Sequence, residues 1–436
     1  MIDCDLLFTA DFIVTQNASR AVMSDAALAV SGAKIAAIGP RALLEKEYAP
    51  AVRRDLGKAL LLPGLVNAHS HVPMTLLRGL ADDLPLMEWL TEHIFPLEAK
   101  LTPHMIEAGT MLACAEMLRT GTTTCVDMYM FEVQVYGTID QCGMKALVGE
   151  GIYKQTTTKV SNPMRAYELV REQATALRGH PRLRYAVMPH SVYTTDFEML
   201  EKSAVLAEEL ELPLHIHLAE TASETAQCLE LYGCRPVEVC RRAGLLGSRT
   251  FIAHGVNLLD EEIELLAERG VSLAHCPRSN LKLASGIAPV PRMLQKGMNV
   301  ALGTDGASSN NMLNMFMEMN AAALLHKVSC PDPIGLPAQT ALNMATINGG
   351  KALFWPELGS LVSGGPADFT ALDLTAPNLM PNGSPISQLV YAATGHEVFL
   401  TVVDGQILYD NGRFLSMDYP AVLQEVQDIR AWLVKN

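Results

Sequence analysis

A regular alternation of short apolar segments with longer amphipathic ones constrains the fold of this chain more than any other feature. Eight apolar segments have the character of strands, and they cover residues 59–69, 122–128, 144–151, 183–190, 212–220, 250–255, 271–277 and 298–305. Strands that alternate with helices predict βα units around a parallel sheet. Because eight repeats are present and no G-x-G-x-x-G phosphate loop follows any of them, the pattern favours an α/β fold of the (β/α)₈ TIM-barrel type over a doubly wound sheet.

The two ends of the chain carry a different pattern, in which β-rich runs are separated by tight turns. Such turns are predicted at Ser31-Gly32 near the start and at Asp404-Gly405 near the end. Each set of strands is too short for a stable sandwich of its own, and chain termini often lie close together. We therefore predict a composite β-sandwich built from residues 1–62 and 366–436, which flanks a barrel domain over residues 63–365.

Composition excludes several classes of protein. The formal net charge is −14 and no basic run is present, which argues against nucleic acids and anionic membrane surfaces as partners. No apolar stretch approaches the roughly 20 residues that a membrane helix needs. The nine cysteines include no C-x-x-C pair, and the first residues lack the basic start of a secretory signal. We therefore expect reduced thiols and a cytoplasmic location.

Titratable side chains cluster at the carboxyl ends of the predicted strands. These ends carry His69-Ser70-His71, His190, His217 with Glu220, His254, His275 and Asp305. In a barrel, the carboxyl ends open onto the face that carries the active site. Alternate residues of a strand point to the same side, so His69 and His71 can face one metal ion. Imidazoles with a carboxylate suit zinc, although iron or another divalent ion would fit the same ligands.

Five segments carry a resemblance to a known family, and they are LPGLVNAHSHVPMTLLRGLADD, LHIHLAET, CPRSNLKLASGIAPV, VALGTDGASSNN and TINGGKAL…SGGPADF. Together they resemble the amidohydrolase superfamily, in its mononuclear aminohydrolase branch, over nearly the whole chain. Within that branch they are similar to the 5′-methylthioadenosine/S-adenosylhomocysteine deaminases. The resemblance implies a (β/α)₈ barrel with a flanking β-sandwich from both termini, in agreement with the strand pattern.

The resemblance also implies roles for individual residues. It assigns one divalent metal ion, zinc by preference, to His69, His71, His217 and Asp305. Glu220 matches the glutamate that shuttles protons, and His254 matches the histidine that contacts the attacking water. Binuclear members of the superfamily need a carboxylated lysine on the fourth strand. The segment 183–190 contains no lysine, so we expect a site for one metal ion.

For the substrate, the resemblance implies that Trp89 lies against the nucleoside, Glu98 and His190 near the ribose hydroxyls and the purine edge, and Ser309 close to the base. Core packing for Trp89, a surface charge for Glu98 and a helix cap for Ser309 are the alternatives. Members that accept S-adenosylhomocysteine carry an arginine after the third strand, where this chain has Glu150. A carboxylate there would repel the amino-acid carboxylate of that substrate, which favours 5′-methylthioadenosine.

These expectations predict an enzyme, a metal-dependent aminohydrolase that converts a 6-aminopurine nucleoside into its inosine analogue and ammonia. We expect 5′-methylthioadenosine as the substrate, with S-adenosylhomocysteine and adenosine as further candidates. In this hypothesis, a metal-activated water attacks C6 with Asp305 and His254 as proton acceptors, and Glu220 protonates N1. The alternatives are deamination or dechlorination of guanine, 8-oxoguanine, cytosine or a triazine, and an inactive barrel that serves as a binding protein. The resemblance also implies a homo-oligomer, because barrels of this family are often dimers or tetramers.

Overall fold

The structure is a computed structural model that describes residues 1–84, 86–155, 162–330 and 332–435. Its strands are β1 Ile2–Val14, β2 Val22–Ser31, β3 Lys34–Pro40, β4 Tyr48–Asp55, β5 Ala59–Pro63, β6 Leu65–Asn67, β7 Thr122–Tyr129, β8 Lys145–Ile152, β9 Leu183–Tyr185, β10 Met188–Pro189, β11 Leu214–Leu218, β12 Thr250–His254, β13 Ser272–His275, β14 Val300–Leu302, β15 Phe369–Asp373, β16 Val398–Val403, β17 Gln406–Asp410 and β18 Arg413–Phe414.

The α-helices are α1 Arg41–Glu47, α2 Leu86–Glu88, α3 Phe95–Glu98, α4 Pro103–Arg119, α5 Glu132–Cys142, α6 Arg165–Ala176, α7 Phe197–Glu209, α8 Ala222–Tyr232, α9 Pro236–Arg242, α10 Asp260–Glu268, α11 Pro277–Lys282, α12 Val290–Gln295, α13 Met315–Ser329, α14 Ala338–Met344, α15 Ile347–Ala352, α16 Pro385–Ser387 and α17 Tyr419–Lys435. Short 3₁₀ turns cover Val72–Leu77 and Pro377–Leu379, and π-helical turns cover Trp89–Ile94 and Gln388–Ala392. Within the described ranges, no helix combines the length and apolarity that crossing a bilayer requires.

Eight parallel strands form a closed barrel, in which β9 and β10 are two parts of one strand. Neighbouring strands pair from β6 through β10 and again from β11 through β14. Backbone hydrogen bonds join these two groups at both seams. The Val187 N–H donates to the Pro213 carbonyl at 2.9 Å, and the Ala68 N–H donates to the Leu302 carbonyl at 2.9 Å. The predicted (β/α)₈ barrel is therefore confirmed.

The seam between β6 and β14 depends on a glycine. A Cβ atom built on Gly303, directly after β14, would lie 2.8 Å from the backbone nitrogen of His69. No real Cβ atom tolerates that approach, so glycine allows the two strand ends to meet. Two residues after Gly303, the Asp305 N–H donates to the His69 carbonyl at 3.0 Å. The close approach therefore brings the ends of the first and last barrel strands, with His69 and Asp305, side by side.

Strands from both ends of the chain form one nine-stranded sheet, in the order β18-β17-β16-β15-β5-β1-β2-β3 with β4 beside β1. The Phe8 and Phe369 rings, from opposite ends of the sequence, meet edge to face with 5.1 Å between their centres. Lys34 also forms an antiparallel bridge with Pro366, so the sheet folds over its own apolar core. This confirms a composite β-sandwich, while the domain limits 1–62, 63–365 and 366–436 stay a prediction.

A buried ion pair joins the barrel to the terminal sheet. Lys145 Nζ, at the start of β8, lies 2.5 Å from Asp368 Oδ2 and 2.6 Å from Asp404 Oδ1. The side chains of Lys145 and Asp368 are 3% and 5% exposed, and burial raises the pKa of Asp368. Because the buried Asp368 carboxylate and the partly buried Asp404 carboxylate both face this ammonium group, its removal leaves them uncompensated.

We predict that Lys145→Met lowers the free energy of unfolding by about 3–5 kcal/mol, the usual cost of breaking a buried ion pair from one side. Arg171→Met is the matched control, because its pair with Glu209 is about half exposed. The control should cost about 0–1 kcal/mol. Urea unfolding of both variants measures the difference, and equal losses would contradict a structural role for the buried pair.

Candidate active site

A cavity opens at the carboxyl ends of the barrel strands. Its polar lining residues are His71, Glu98, Tyr129, Tyr153, His190, Tyr193, His217, Glu220, His254 and Asp305. The remaining wall is mostly apolar, with Leu86, Leu90, Ile94, Phe95 and Leu283 among its residues. A cavity with an apolar wall and a few convergent polar groups is typical of a small-molecule site.

The strand-end histidines predicted to bind metal lie together at this cavity. His71 Nε2 lies 3.2 Å from Asp305 Oδ1 and 3.2 Å from His217 Nε2, and His69 Nε2 lies 3.4 Å from Asp305 Oδ1. The ligand atoms of His69, His217, His254 and Asp305 all lie within 4.8 Å of one another. All five side chains are buried. The structure therefore gathers every predicted ligand and adds His254 to the group.

His275, another strand-end histidine, makes a different contact. Its Nε2 atom lies 3.0 Å from Nε2 of His326 on α13, and both side chains are fully buried. Among the described residues, His275 is not one of the side chains that lie close enough together to hold a metal ion.

Two members of the group have a strained backbone. His254 has a φ angle of 72° and Asp305 has a φ angle of 62°. This left-handed conformation is costly for residues other than glycine, and it persists only where the surrounding structure enforces it. At both strand ends the strain accompanies a side chain that faces the cavity.

Hydrogen-bond acceptors behind the histidines fix which ring nitrogen faces the centre. The Nδ1–H of His71 donates to the Met128 carbonyl at 2.6 Å, and the Nδ1–H of His217 donates to the His190 carbonyl at 2.7 Å. A carbonyl only accepts, so the proton sits on Nδ1 in both rings. Nδ1 of His254 lies 2.9 Å from Asn280 Oδ1, which gives the same tautomer. Each of these rings therefore directs the Nε2 lone pair toward the centre, as metal-binding histidines usually do.

Within the described structure, His69 Nε2 is a buried nitrogen without a hydrogen-bond partner. Burial lowers the pKa of His69 to about 4, so the ring is neutral at pH 7. Burial also lowers the pKa of His71, but the hydrogen bond to Asp305 outweighs it and raises the value to about 9. A proton and a metal ion compete for that same lone pair. Once the proton on His71 is displaced, the imidazole nitrogens around one carboxylate oxygen fit a single divalent ion of the zinc type.

The Asp305 carboxylate is held in one orientation. Oδ1 faces His69 and His71, and Oδ2 accepts hydrogen bonds from the Ser279 hydroxyl at 2.6 Å and the Ser309 hydroxyl at 2.7 Å. Burial alone raises the pKa of Asp305, but the histidine contacts outweigh it and hold that pKa well below its usual range. Ser309 was predicted to lie close to the base, and its hydroxyl donates to the Asp305 carboxylate. Ser279 was not singled out from the sequence, although it lies in the CPRSN segment just after the seventh barrel strand.

Glu220 lies beside this group, after a strained Ala219 with a φ angle of 53°. The Ala219 and Glu220 backbone N–H groups both donate to the carboxylate of Glu224, at 3.1 and 2.6 Å. Glu220 Oε2 lies 3.9 Å from His254 Nε2, and burial raises the pKa of Glu220. A carboxyl group with a raised pKa is suited to carry a proton near neutral pH. Glu224, which anchors the loop, was not identified from the sequence.

Four of the five residues predicted to contact substrate line the cavity, namely Trp89, Glu98, His190 and Glu220, whereas Ser309 is not among the described lining residues. Within the described residues, Trp89 Nε1–H is buried without a hydrogen-bond partner. Glu98 Oε1 accepts a hydrogen bond from the Tyr129 hydroxyl at 2.6 Å, and burial raises the pKa of Glu98 to about 7. Nδ1 of His190 lies 2.9 Å from the Thr194 hydroxyl. Glu98 is therefore buried, and the alternative of a surface charge is excluded.

The expectation for Glu150 is wrong. Its carboxylate accepts from the backbone N–H groups of Phe131 and Glu132, at 3.2 and 3.3 Å, and from the Gln173 amide at 3.2 Å. Of the described residues around the end of β8, Tyr153 lines the cavity and Glu150 does not. Alternation along the strand turns Glu150 toward these partners, so it cannot repel a substrate carboxylate as predicted.

Comparison with known proteins gives consistent matches over the whole chain. The model of the family described as "Amidohydrolase family" matches residues 60–408. A 5-methylthioadenosine/S-adenosylhomocysteine deaminase from Nitratidesulfovibrio vulgaris (strain DSM 19637 / Miyazaki F) is 54% identical over 431 residues, which are 99% of this chain and 98% of that protein. A 5'-deoxyadenosine deaminase from Methanothermobacter thermautotrophicus is 43% identical over 366 residues, 84% of this chain and 85% of the relative.

Among solved structures, the crystal structure of an adenosine deaminase from Xanthomonas campestris with bound zinc superimposes with a TM-score of 0.97. That protein is 40% identical, and the match covers 100% of both chains.

Proposed function

Because the chain belongs to the amidohydrolase family, we propose that it is a metal-dependent aminohydrolase that deaminates 5′-methylthioadenosine or a related 6-aminopurine nucleoside. The products are the inosine analogue and ammonia. The observation that carries this proposal is the buried group of imidazole Nε2 atoms around Asp305 Oδ1, with the carboxyl group of Glu220 beside it. The names of the deaminase relatives support the same reaction class. The cytoplasmic location, the absence of nucleic-acid partners and a homo-oligomer stay predictions from the sequence.

We assign one zinc ion per chain to His69, His71, His217 and Asp305. The zinc-bound relative supports this assignment, and so does the unpartnered His69 Nε2 atom. When bound, such an ion lowers the pKa of a coordinated water and makes it a nucleophile near neutral pH. His254 lies among these ligands, with Nε2 3.9 Å from Glu220 Oε2, and its Nε2 lone pair would accept a proton there.

The side chains around the cavity supply the proton transfers. As oxygen bonds to C6 of the purine, Glu220 delivers a proton to N1, which takes up the electron pair of the C6–N1 double bond. Asp305 and His254 accept the protons that the water loses. One of these protons passes to N6 as the C6–N6 bond breaks and ammonia leaves. The other returns to Glu220, and the ring becomes the 6-oxopurine with its proton on N1. Burial raises the pKa of Glu220, which favours its protonated form relative to an exposed carboxyl group.

The residues of the cavity wall affect which 5′ substituent of the nucleoside is preferred. In this proposal, Glu98 accepts from the ribose hydroxyls, His190 contacts the purine edge and the Trp89 indole lies against the nucleoside. Ser309 contributes through Asp305. Among the described residues that line the cavity, none is Lys or Arg. Against this described part of the lining, a carboxylate in the 5′ substituent would lose its hydration without gaining a cationic partner. The lining therefore favours a neutral tail, as in 5′-methylthioadenosine, over S-adenosylhomocysteine.

We predict that an ammonia-release screen ranks 5′-methylthioadenosine above S-adenosylhomocysteine by at least about tenfold in kcat/KM, because tenfold corresponds to about 1.4 kcal/mol of uncompensated desolvation. Adenosine should be turned over, and adenine, guanine and cytosine should be poor substrates because they lack the ribose. Activity on free bases alone would overturn the nucleoside proposal. Equal activity on the two thio-nucleosides would contradict the argument from the cavity wall.

Replacing Glu220 should separate catalysis from metal binding. We predict that Glu220→Gln keeps one zinc ion per chain and lowers kcat by about 10²- to 10⁴-fold, the usual range for a lost general acid. The matched control is Glu198→Gln, whose side chain is 75% exposed. Steady-state rates and zinc analysis on the same samples measure both effects, and undiminished turnover in Glu220→Gln would refute its role.

Two histidine variants test which imidazoles hold the ion. We predict that His71→Ala lowers zinc affinity by at least about a hundredfold, since a ligand is lost, whereas His254→Ala keeps the ion and loses turnover. Chelator competition measures the affinity of each purified variant. The opposite pattern would instead assign the ion to the group of His69, His217, His254 and Asp305.

A further inference from the structure

We propose that His215 is a positioning residue that sets the tautomer of His69 and thereby makes His69 a metal ligand. This inference rests on the proposed metal site. It concerns a residue that lies behind the site and does not line the cavity among the described residues. The contact that carries it joins Nε2 of His215 to Nδ1 of His69, at 2.8 Å.

His215 itself is locked in one orientation. It lies on β11, two residues before His217, and its side chain is fully buried. Its ring stacks on the Phe251 ring, with 3.9 Å between centres and 11° between planes. Its Nδ1 lies 3.0 Å from the Phe251 carbonyl oxygen. Because a carbonyl accepts and never donates, the proton of neutral His215 must sit on Nδ1.

The position of the proton on His215 determines the position of the proton on His69. With its proton on Nδ1, His215 has only a lone pair at Nε2, so Nδ1 of His69 must be the donor in the contact between the two rings. The proton of His69 therefore sits on Nδ1, and Nε2 keeps its lone pair. That Nε2 is the buried, unpartnered nitrogen that lies 3.4 Å from Asp305 Oδ1. The Phe251 carbonyl thus acts on the metal site through two imidazoles in series.

His69 differs in this respect from the other histidines assigned to the ion. His71 and His217 each donate directly to a backbone carbonyl, which cannot change its role. His69 instead faces an imidazole, which can either accept or donate. If His215 carried its proton on Nε2, His69 would have to accept at Nδ1 and would carry its own proton on Nε2, where it blocks the metal. His215 therefore determines the tautomer of His69 in addition to filling space behind it.

Zinc affinity of three variants tests the proposal without measuring turnover. His215→Leu keeps an apolar side chain against Phe251 but offers His69 no acceptor, and we expect a loss of zinc affinity of about 10- to 100-fold, as for other partners of metal-bound histidines. His215→Gln retains an acceptor oxygen for His69 and should restore most of that affinity. His326→Leu is the matched control, because it removes one ring of the other buried histidine pair, and zinc affinity should not change. Chelator competition on folded protein measures all three.

The outcomes separate the inference from the site on which it rests. If the unaltered chain binds no zinc, the proposed site itself fails. If the chain binds zinc and His215→Leu binds it equally tightly, the site stands and the role of His215 is refuted. Equal losses in His215→Leu and His215→Gln would also overturn the proposal, because packing would then explain both.

A direct observation covers the case in which His215→Leu does not fold. Neutron diffraction from the zinc-loaded, deuterium-exchanged chain locates the hydrogen isotopes on both rings. The proposal requires deuterium on Nδ1 of His215 and on Nδ1 of His69, with none on Nε2 of His215. Deuterium on Nε2 of His215 would contradict it.

Discussion

The account of this molecule depends on hydrogen bonds that lie behind the metal-binding histidines. An imidazole has two nitrogens, and only the one without a proton can bind a metal ion. The Met128 and His190 carbonyls take the Nδ1 protons of His71 and His217, so both rings offer Nε2 to the centre. The same logic reaches His69 through His215. The chemistry of the site is thus determined as much by acceptors in the barrel wall as by the ligands themselves.

These acceptors are in place because the barrel closes. The Met128 carbonyl belongs to β7 and the His190 carbonyl follows β10, so each histidine is oriented by the neighbouring strand. Gly303 permits the close approach of β14 to His69, which brings Asp305 to the first strand. The terminal sheet supports the barrel from outside, where Lys145 is held by Asp368 and Asp404. Fold and site are therefore connected through contacts between strands that are distant in sequence.

Much of this arrangement could be predicted from the sequence. The alternation of strands and helices predicted the barrel, and the turn-rich ends predicted strands from both termini in one sheet. The H-x-H pattern and the strand-end positions predicted that His69, His71, His217 and Asp305 lie together. Strand periodicity is sufficient for these conclusions because it places residues on the same face and at the same end of the barrel.

Side-chain contacts between different elements were beyond such reasoning. Three hydrogen bonds join residues from separate elements or loops. The Tyr129 hydroxyl donates to Glu98, the Ser279 hydroxyl donates to Asp305, and the Glu220 backbone N–H donates to the Glu224 carboxylate. Glu150 was misassigned for a related reason, since a position near a strand end does not say which way the side chain turns. Its partners lie in neighbouring elements, at Phe131, Glu132 and Gln173.

The central claim is that one metal ion is held by Nε2 atoms of histidines whose Nδ1 protons are bound elsewhere. Anomalous X-ray diffraction at the zinc absorption edge, on crystals of the zinc-loaded chain, tests it most directly. The account predicts one anomalous peak at about 2.0–2.2 Å from Nε2 of His69, His71 and His217 and from an Asp305 oxygen. A peak bound through an Nδ1 atom, or one outside this group of side chains, would contradict it.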